Sequence, residues 1–333
     1  MDDSATLRQT LREELATRLP APPDAALWHH LPGGRSNLCW RLPGAAQQAR
    51  GAAQGPRPGP DSGSASGPDA DTAAGTGTDP DRGDVVLKLF RPDAASTLFP
   101  NAPLAELSCL AALAPFDLAP RVLAAWVGAA GHCLAYRHLA GPLWSQDSAA
   151  VAHLLRRLHD LAVPVTLAGL RPVPCDPATL SGQIRAMAAD LPPDLARGLR
   201  DRLAQLPLPE LPPAPAPCLL HGDPVAANIV MTAQGARLID WQCPGLGDPV
   251  HDLSVFLSPA MAHLYLGRQL SLAERRDFLA AYGAPQVTAR LAALAPLLHL
   301  RMAAHCLTRA ATGSARDAEA ARLELSAIDR APA

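Results

Sequence analysis

Apolar residues recur along this chain in two rhythms, one helical and one strand-like. Leu7, Leu11, Leu15 and Leu19 stand four apart and predict an amphipathic helix over 5–19. The run Val85-Val86-Leu87-Lys88-Leu89-Phe90 is short, apolar and β-branched at its start, and reads as a strand. Leu107, Leu110 and Leu113 return to helical spacing, as do Val151, Leu154, Leu155, Leu158 and Leu161. Two more helices are expected over 179–190 and 193–205. A Pro-rich stretch, 207–217, leads into short apolar runs at 218–220, 229–231 and 236–239. These are expected as buried strands, the last two joined by a turn at Ala233-Gln234-Gly235. Helical patterns near 251–264, 271–282, 286–312 and 315–329 complete the chain, and Ser271 with Glu274 has the spacing of a capping box.

One segment has neither rhythm. Residues 43–83 contain no Leu, Ile, Val or aromatic residue and are built from Gly, Ala, Pro, Ser, Thr, Asp, Gln and Arg. Such a stretch cannot bury a core and is expected to be a disordered insertion between two strands. No internal repeat is present. The length of 333 residues and an apolar fraction of 48% allow one two-lobed domain with a sizeable core.

Charge and cysteine usage narrow the classes. The net charge is −2, with no basic patch interleaved with aromatics, which argues against nucleic acid as a partner. The N-terminus is polar and charged, and no run reads as membrane-spanning, so no membrane partner is expected. Seven scattered cysteines without a C-x-x-C pair predict reduced, mostly buried thiols and a cytoplasmic protein.

The chemistry concentrates in His221-Gly222-Asp223-Pro224-Val225-Ala226-Ala227-Asn228, followed twelve residues after Asn228 by Asp240 in Leu238-Ile239-Asp240-Trp241. The pattern H-x-D-x-x-x-x-N and then a second Asp at a strand end is the spacing of a phosphoryl-transfer loop. An Asp must meet the acceptor hydroxyl, an Asn must reach a magnesium ion, and a second Asp must hold the metal that bridges the nucleotide phosphates. Asp223 and His221 are thus the catalytic-loop candidates, with His221 bracing the loop. Asn228 and Asp240 are the metal candidates.

Lys88 is the only lysine among 29 basic residues, and it stands in the apolar 85–90 run. A compact ammonium can reach phosphates where a broad guanidinium fits badly. Glu106, on the helix of Leu107, Leu110 and Leu113, is the candidate to pair with it. Gly33-Gly34-Arg35-Ser36-Asn37 offers a glycine turn whose N–H groups could approach phosphate, which makes Gly33, Gly34, Ser36 and Asn37 nucleotide candidates. His159, on the 151–161 helix, reads as a bracing histidine rather than a ligand.

With Gly247-Asp248-Pro249-Val250-His251-Asp252-Leu253, these pieces resemble the aminoglycoside phosphotransferase and choline kinase family, the small-molecule branch of the protein-kinase-like fold. H-G-D-x-x-x-x-N, I-D-W and G-D-P-x-x-D-L are all present. Pro224 and Ala227 depart from the family's usual residues, and Pro224 removes an N–H beside Asp223. The resemblance implies an α+β bilobal fold, with an antiparallel N-lobe sheet plus helix over 1–142 and a mainly helical C-lobe over 143–333. It implies a hinge near Tyr136–Gly141, and that Asp252 ties down the catalytic loop. It also implies ATP and Mg2+ as cofactors and a small-molecule hydroxyl as acceptor, of the choline or ethanolamine, thiamine, amino-sugar or aminoglycoside type. The alternatives are a nucleotide-binding pseudokinase scaffold and a protein kinase. Every chemical residue is present, against the first. G-x-G-x-x-G, D-F-G and A-P-E are missing, against the second.

Overall fold

The computed structural model describes residues 3–19, 22–31, 36–44, 83–162, 167–207 and 209–330. Gly33, Gly34 and insertion residues 45–82 lie outside them. The chain forms two compact units, one of residues 1–90 and 122–140, the other of 91–121 and 141–333.

The first unit opens with α1 (Asp3–Ala16) and carries one antiparallel sheet of β1 (His29–His30), β2 (Leu38–Leu42), β3 (Val85–Leu89), β4 (Val122–Gly128) and β5 (Gly131–Arg137). Its strand order is β1-β2-β3-β5-β4. Leu11, Leu15 and Leu19 seat the expected stripe in a core with Trp28, Trp40, Leu42, Leu87, Leu89 and Trp126. Glu14 fixes the helix to the β4–β5 turn, its carboxylate accepting from Trp126 Nε1 and from the Ala129 N–H, each at 2.7 Å. Because side chains alternate along a strand, Lys88 points to the face opposite Leu87 and Leu89.

The ends of the insertion meet. Leu42 pairs with Val85 across β2 and β3. Asp84 accepts from the Gly44 N–H at 2.9 Å and from Arg41 Nε at 2.5 Å. Gly44 and Gly83 have φ of +68° and +88°, the sign a type I′ turn needs at both central positions. Removing residues 45–82 should therefore leave Pro43-Gly44-Gly83-Asp84 as a ready hairpin turn. The melting temperature should hold or rise. Closing 4 residues instead of 42 spares roughly three doublings of loop length, up to ~2 kcal/mol at ~0.6 kcal/mol each. Thermal melts of the two proteins, run beside turnover, check this. A large fall in melting temperature would mean that the insertion packs onto the unit.

In the second unit α2 (Pro103–Leu113) is followed by α3 (Ser148–His159), β6 (Arg171–Val173), α4 (Pro177–Ala189), α5 (Pro193–Gln205) and β7 (Cys218–Leu220). The hairpin β8 (Ile229–Thr232) with β9 (Gly235–Leu238) and the strand β10 (Gly245–Gly247) come next. Helices α6 (Val250–Phe256), α7 (Pro259–Met261), α8 (Leu272–Tyr282), α9 (Pro285–Ala310) and α10 (Ala315–Arg330) finish it. Residues 91–121, expected with the first lobe, group with this unit. The Ala102 N–H donates to Gln242 O, Leu118 O accepts from the Leu238 N–H, and Asp117 pairs with Arg237.

Two expectations need correction. The single helix expected over 251–264 is two, because Pro259 has no N–H to continue α6 and Ser258 caps a new turn by accepting from the Met261 N–H at 3.1 Å. That turn runs into a π-helical turn, Ala262–Leu266. The expectation of no membrane-length apolar run also fails, since α9 is long and apolar enough by length and composition. Here it packs against α4, α6 and α10 and buries Arg290 and Arg301. The Ser271–Glu274 capping box is present, with both reciprocal hydrogen bonds. Six of the seven cysteines are buried and Cys39 is half-buried, and burial pushes the Cys109 and Cys133 thiols up to about 12 and Cys175 to about 11.

Candidate active site

The ends of β7, β8 and β9 bring the loop candidates together. The buried strand β7 lies antiparallel to β10, which runs parallel to β6. The glycines of β10 permit this: a Cβ on Gly245 would lie 2.3 Å from the Val173 side chain, and one on Gly247 2.1 Å from Val173 O. At the end of β7 the chain turns sharply at Gly222, where φ is +84° and a Cβ would lie 2.0 Å from Cys243 O. Only glycine fits there.

Past the turn, Asp223 and Asn228 are buried and joined. Asn228 Nδ2 donates to Asp223 O at 2.9 Å and to its Oδ2 at 3.3 Å. Asn228 O in turn accepts from the Ile239 N–H at 2.9 Å, extending the β8–β9 ladder by one rung. That rung brings Asp240, the next residue, alongside the loop. Asp240 has φ of +61°, a left-handed conformation uncommon for a residue other than glycine and frequent where a site over-determines the backbone. His221 is fully buried. Its Nε2 donates to Ile239 O at 3.0 Å, its Nδ1 accepts from the Asp223 N–H at 3.3 Å, and its ring meets Trp241 edge-on.

Asp252, in the first turn of α6, grips this loop by its backbone. Its Oδ2 accepts from the His221 N–H and its Oδ1 from the Gly222 N–H, each at 2.8 Å. His159 Nε2 donates to the same carboxylate at 3.1 Å, and its Nδ1 lies 2.9 Å from the Tyr282 hydroxyl. Burial alone would raise the Asp252 pKa. The hydrogen bond from His159 leads the effects that outweigh it and hold the carboxyl below its ordinary value. Asp248 is tied instead to Arg290 at 2.8 Å.

The nucleotide candidates fall in both units. Lys88 is buried on β3, with its ammonium 4.7 Å from the Phe90 ring. Ser36 and Asn37 directly precede β2, and Asn37 is buried. Glu106 is buried on α2, in the second unit. Among the described residues no three His, Cys, Asp or Glu side chains cluster as a metal cage. A carboxylate at Asp240 and an amide at Asn228 are the donor set of a hard cation that takes its remaining oxygens from water and phosphate, which suits Mg2+.

Tyr282, Arg290 and Arg301 were not singled out in the sequence. A signal existed for the two arginines. They lie eleven residues apart on the most apolar long helix, three turns on, and so share a face.

The second unit thus carries a loop Asp with a tethered Asn and an Asp beyond a short hairpin, the first carries a lysine on the third strand of a five-stranded sheet, and the fold is of the α+β protein-kinase-like class. The chain belongs to the phosphotransferase enzyme family, whose profile matches residues 75–294. Solved kinases share its fold. A choline kinase from Streptococcus pneumoniae superposes with a TM-score of 0.58 at 14% identity, covering 97% of this chain and 99% of that one. A choline/ethanolamine kinase family protein from Mesorhizobium loti gives 0.55 at 18%, covering 96% and 95%. A spectinomycin phosphotransferase in complex with ADP and spectinomycin gives 0.54 at 13%, covering 96% and 93%. No curated protein matches the chain.

Proposed function

We propose that the protein transfers the γ-phosphoryl group of Mg·ATP to a hydroxyl of a small molecule. The observation that carries this is the convergence of Asp223, Asn228 and Asp240 at the ends of three short strands, on a loop gripped by Asp252. Asp223 would orient the acceptor hydroxyl and take its proton as the new P–O bond forms and the bond to the ADP leaving group breaks. Asn228 and Asp240 would hold Mg2+, and Lys88 would contact the nucleotide phosphates. Bound Mg2+ supplies charge neutralisation at the phosphates. The chain's own residues supply position, which is most of what phosphoryl transfer asks of a protein.

For the acceptor, a quaternary ammonium would need an aromatic cage; in the second unit Trp144, Trp241, Phe256, Phe278 and Tyr282 are buried in the core, which leaves the half-buried Tyr265 and the exposed Phe116 to offer ring faces. A peptide acceptor is disfavoured because only four residues separate Asp240 from β10, too few for a peptide-binding platform. ADP release from Mg·ATP, read across a panel of amino sugars, aminoglycosides, choline, ethanolamine and thiamine, tests the assignment. Asp240→Asn should lower turnover on the order of 10²-fold or more, because a full negative charge beside Mg2+ is lost. An Asp240→Asn protein as active as the wild type would end the kinase reading.

A further inference from the structure

The peptide bond between Gly222 and Asp223 is held at both ends. Its N–H donates to His221 Nδ1, and its carbonyl oxygen lies 3.3 Å from His251 Nε2. With φ of +84° at Gly222 and no side chain there to pack, these two rings hold the plane, while the Asp252 carboxylate fixes the preceding peptide through the Gly222 N–H. Each ring can do this only with its proton on Nε2. For His221 that is secured by donation to Ile239 O. For His251 it is secured by Arg301, whose Nη2 faces His251 Nδ1 at 3.4 Å. A guanidinium has only donors, so Nδ1 must present its lone pair and the proton must sit on Nε2, aimed at Gly222 O. Burial first, and then the Arg301 charge, hold the His251 pKa at about 3, so the ring stays neutral through the physiological range.

We infer that Arg301 is a positioning residue for phosphoryl transfer, setting the tautomer of His251 and through it the plane of the Gly222–Asp223 peptide and the aim of Asp223. The inference rests on the role proposed above for Asp223. Arg301 is a poor choice on stability grounds. It is 1% exposed, its Nε has no partner, and no carboxylate among the described residues lies within 4 Å. Its polar partners there are Gln183 Oε1 at 3.3 Å and His251. A buried charge without a counter-ion weakens a fold, and an apolar side chain of similar length commonly restores stability. A structural role and a positioning role therefore predict opposite outcomes for Arg301→Met. If the residue mainly supports the fold, the variant melts lower and loses activity in proportion. If it positions Asp223, the variant melts at or above the wild-type temperature while turnover falls.

The experiment uses the full chain labelled with 15N-histidine. Two-bond proton–nitrogen correlation spectra should show His251 neutral and protonated at Nε2 in the wild type, and should lose that fixed pattern in Arg301→Met. In steady-state assays of Arg301→Met, kcat should drop by roughly 10-fold to 100-fold, the scale of a displaced reacting group, with the KM for Mg·ATP within about two-fold. Arg301→Lys, which keeps a donor and a charge, should recover most of the loss. In a His251→Phe background the further loss from Arg301→Met should be small, because the two act in series. A wild-type His251 protonated at Nδ1, additive losses in the double variant, or an unchanged kcat in Arg301→Met would each overturn the inference. The tautomer is read without turnover. A wild type that transfers no phosphate would thus refute the proposed reaction, and the spectra would still decide whether Arg301 sets His251.

Discussion

Asp223→Ala is expected to lower turnover by roughly 10²–10⁴-fold, the range for a positioned acid–base group, while leaving Mg·ATP affinity nearly unchanged. The structure sharpens this expectation. Of the two hydrogen bonds that Asn228 Nδ2 donates to Asp223, the one to the side-chain Oδ2, at 3.3 Å, is the weaker, and the one to the backbone carbonyl, at 2.9 Å, is the stronger. Removing the carboxylate therefore leaves Asn228 tethered and the loop gripped at His221 and Gly222 by Asp252. The loss should be chemical, with little change in melting temperature. Asp223→Asn refines the point, since it keeps the volume and an acceptor oxygen but cannot take the hydroxyl proton. It should be nearly as inactive as the alanine variant. Calorimetric titration with Mg·ATP beside a coupled ADP-release assay checks both. An Asp223→Asn protein with most of its turnover would mean that the carboxylate serves only to orient the acceptor.

What was legible in the sequence was local. The loop from His221 to Asn228, the β8–β9 hairpin, the Ser271–Glu274 cap and the lysine on β3 all lie within a dozen residues of the pattern that predicts them. Their physical causes, strand alternation, turn glycines and capping, act over the same distance. What was not legible depends on partners far along the chain. The placement of residues 91–121 is set by Gln242, Leu238 and Arg237, more than a hundred residues on. The break at Leu257–Ser258 could have been read from Pro259, but the stretch has a helical apolar pattern on both sides and the pattern prevailed. Arg301 lies in an apolar helix where composition argues for core, and only the packing of α9 on α6 shows that its guanidinium meets a histidine ring. Gly247 stands in the G-D-P-x-x-D-L motif, but the cause of that glycine and of Gly245, contact with Val173 across a parallel pair, needs the structure.

Replacing Asp252 is expected to have the largest effect on stability. Its carboxylate is fully buried and accepts from the His221 N–H, the Gly222 N–H and His159 Nε2. Asp252→Ala leaves these donors without the acceptor, and breaking a buried charged network in this way costs about 3–5 kcal/mol. That is a large share of the roughly 5–15 kcal/mol that holds a domain of ordinary stability. Asp252→Asn is gentler in volume but keeps only one acceptor oxygen and turns an N–H toward a donor, so it too should melt well below the wild type. The pH dependence separates the charge from the shape. The Asp252 pKa is lowered in the folded state from an ordinary value of 3.8. Its stabilising contribution is therefore fully present above about pH 4 and is lost as pH falls through the lower, folded value. The gap in melting temperature between wild type and Asp252→Asn should be wide at neutral pH and should narrow below pH 4, as the carboxylate takes a proton first in the unfolded chain and then, at its lower pKa, in the folded one. Melts of both proteins from neutral pH to the acid limit of folding measure it. A gap that stays constant with pH would show that Asp252 braces the loop by its shape and hydrogen bonds alone, with no contribution from its charge.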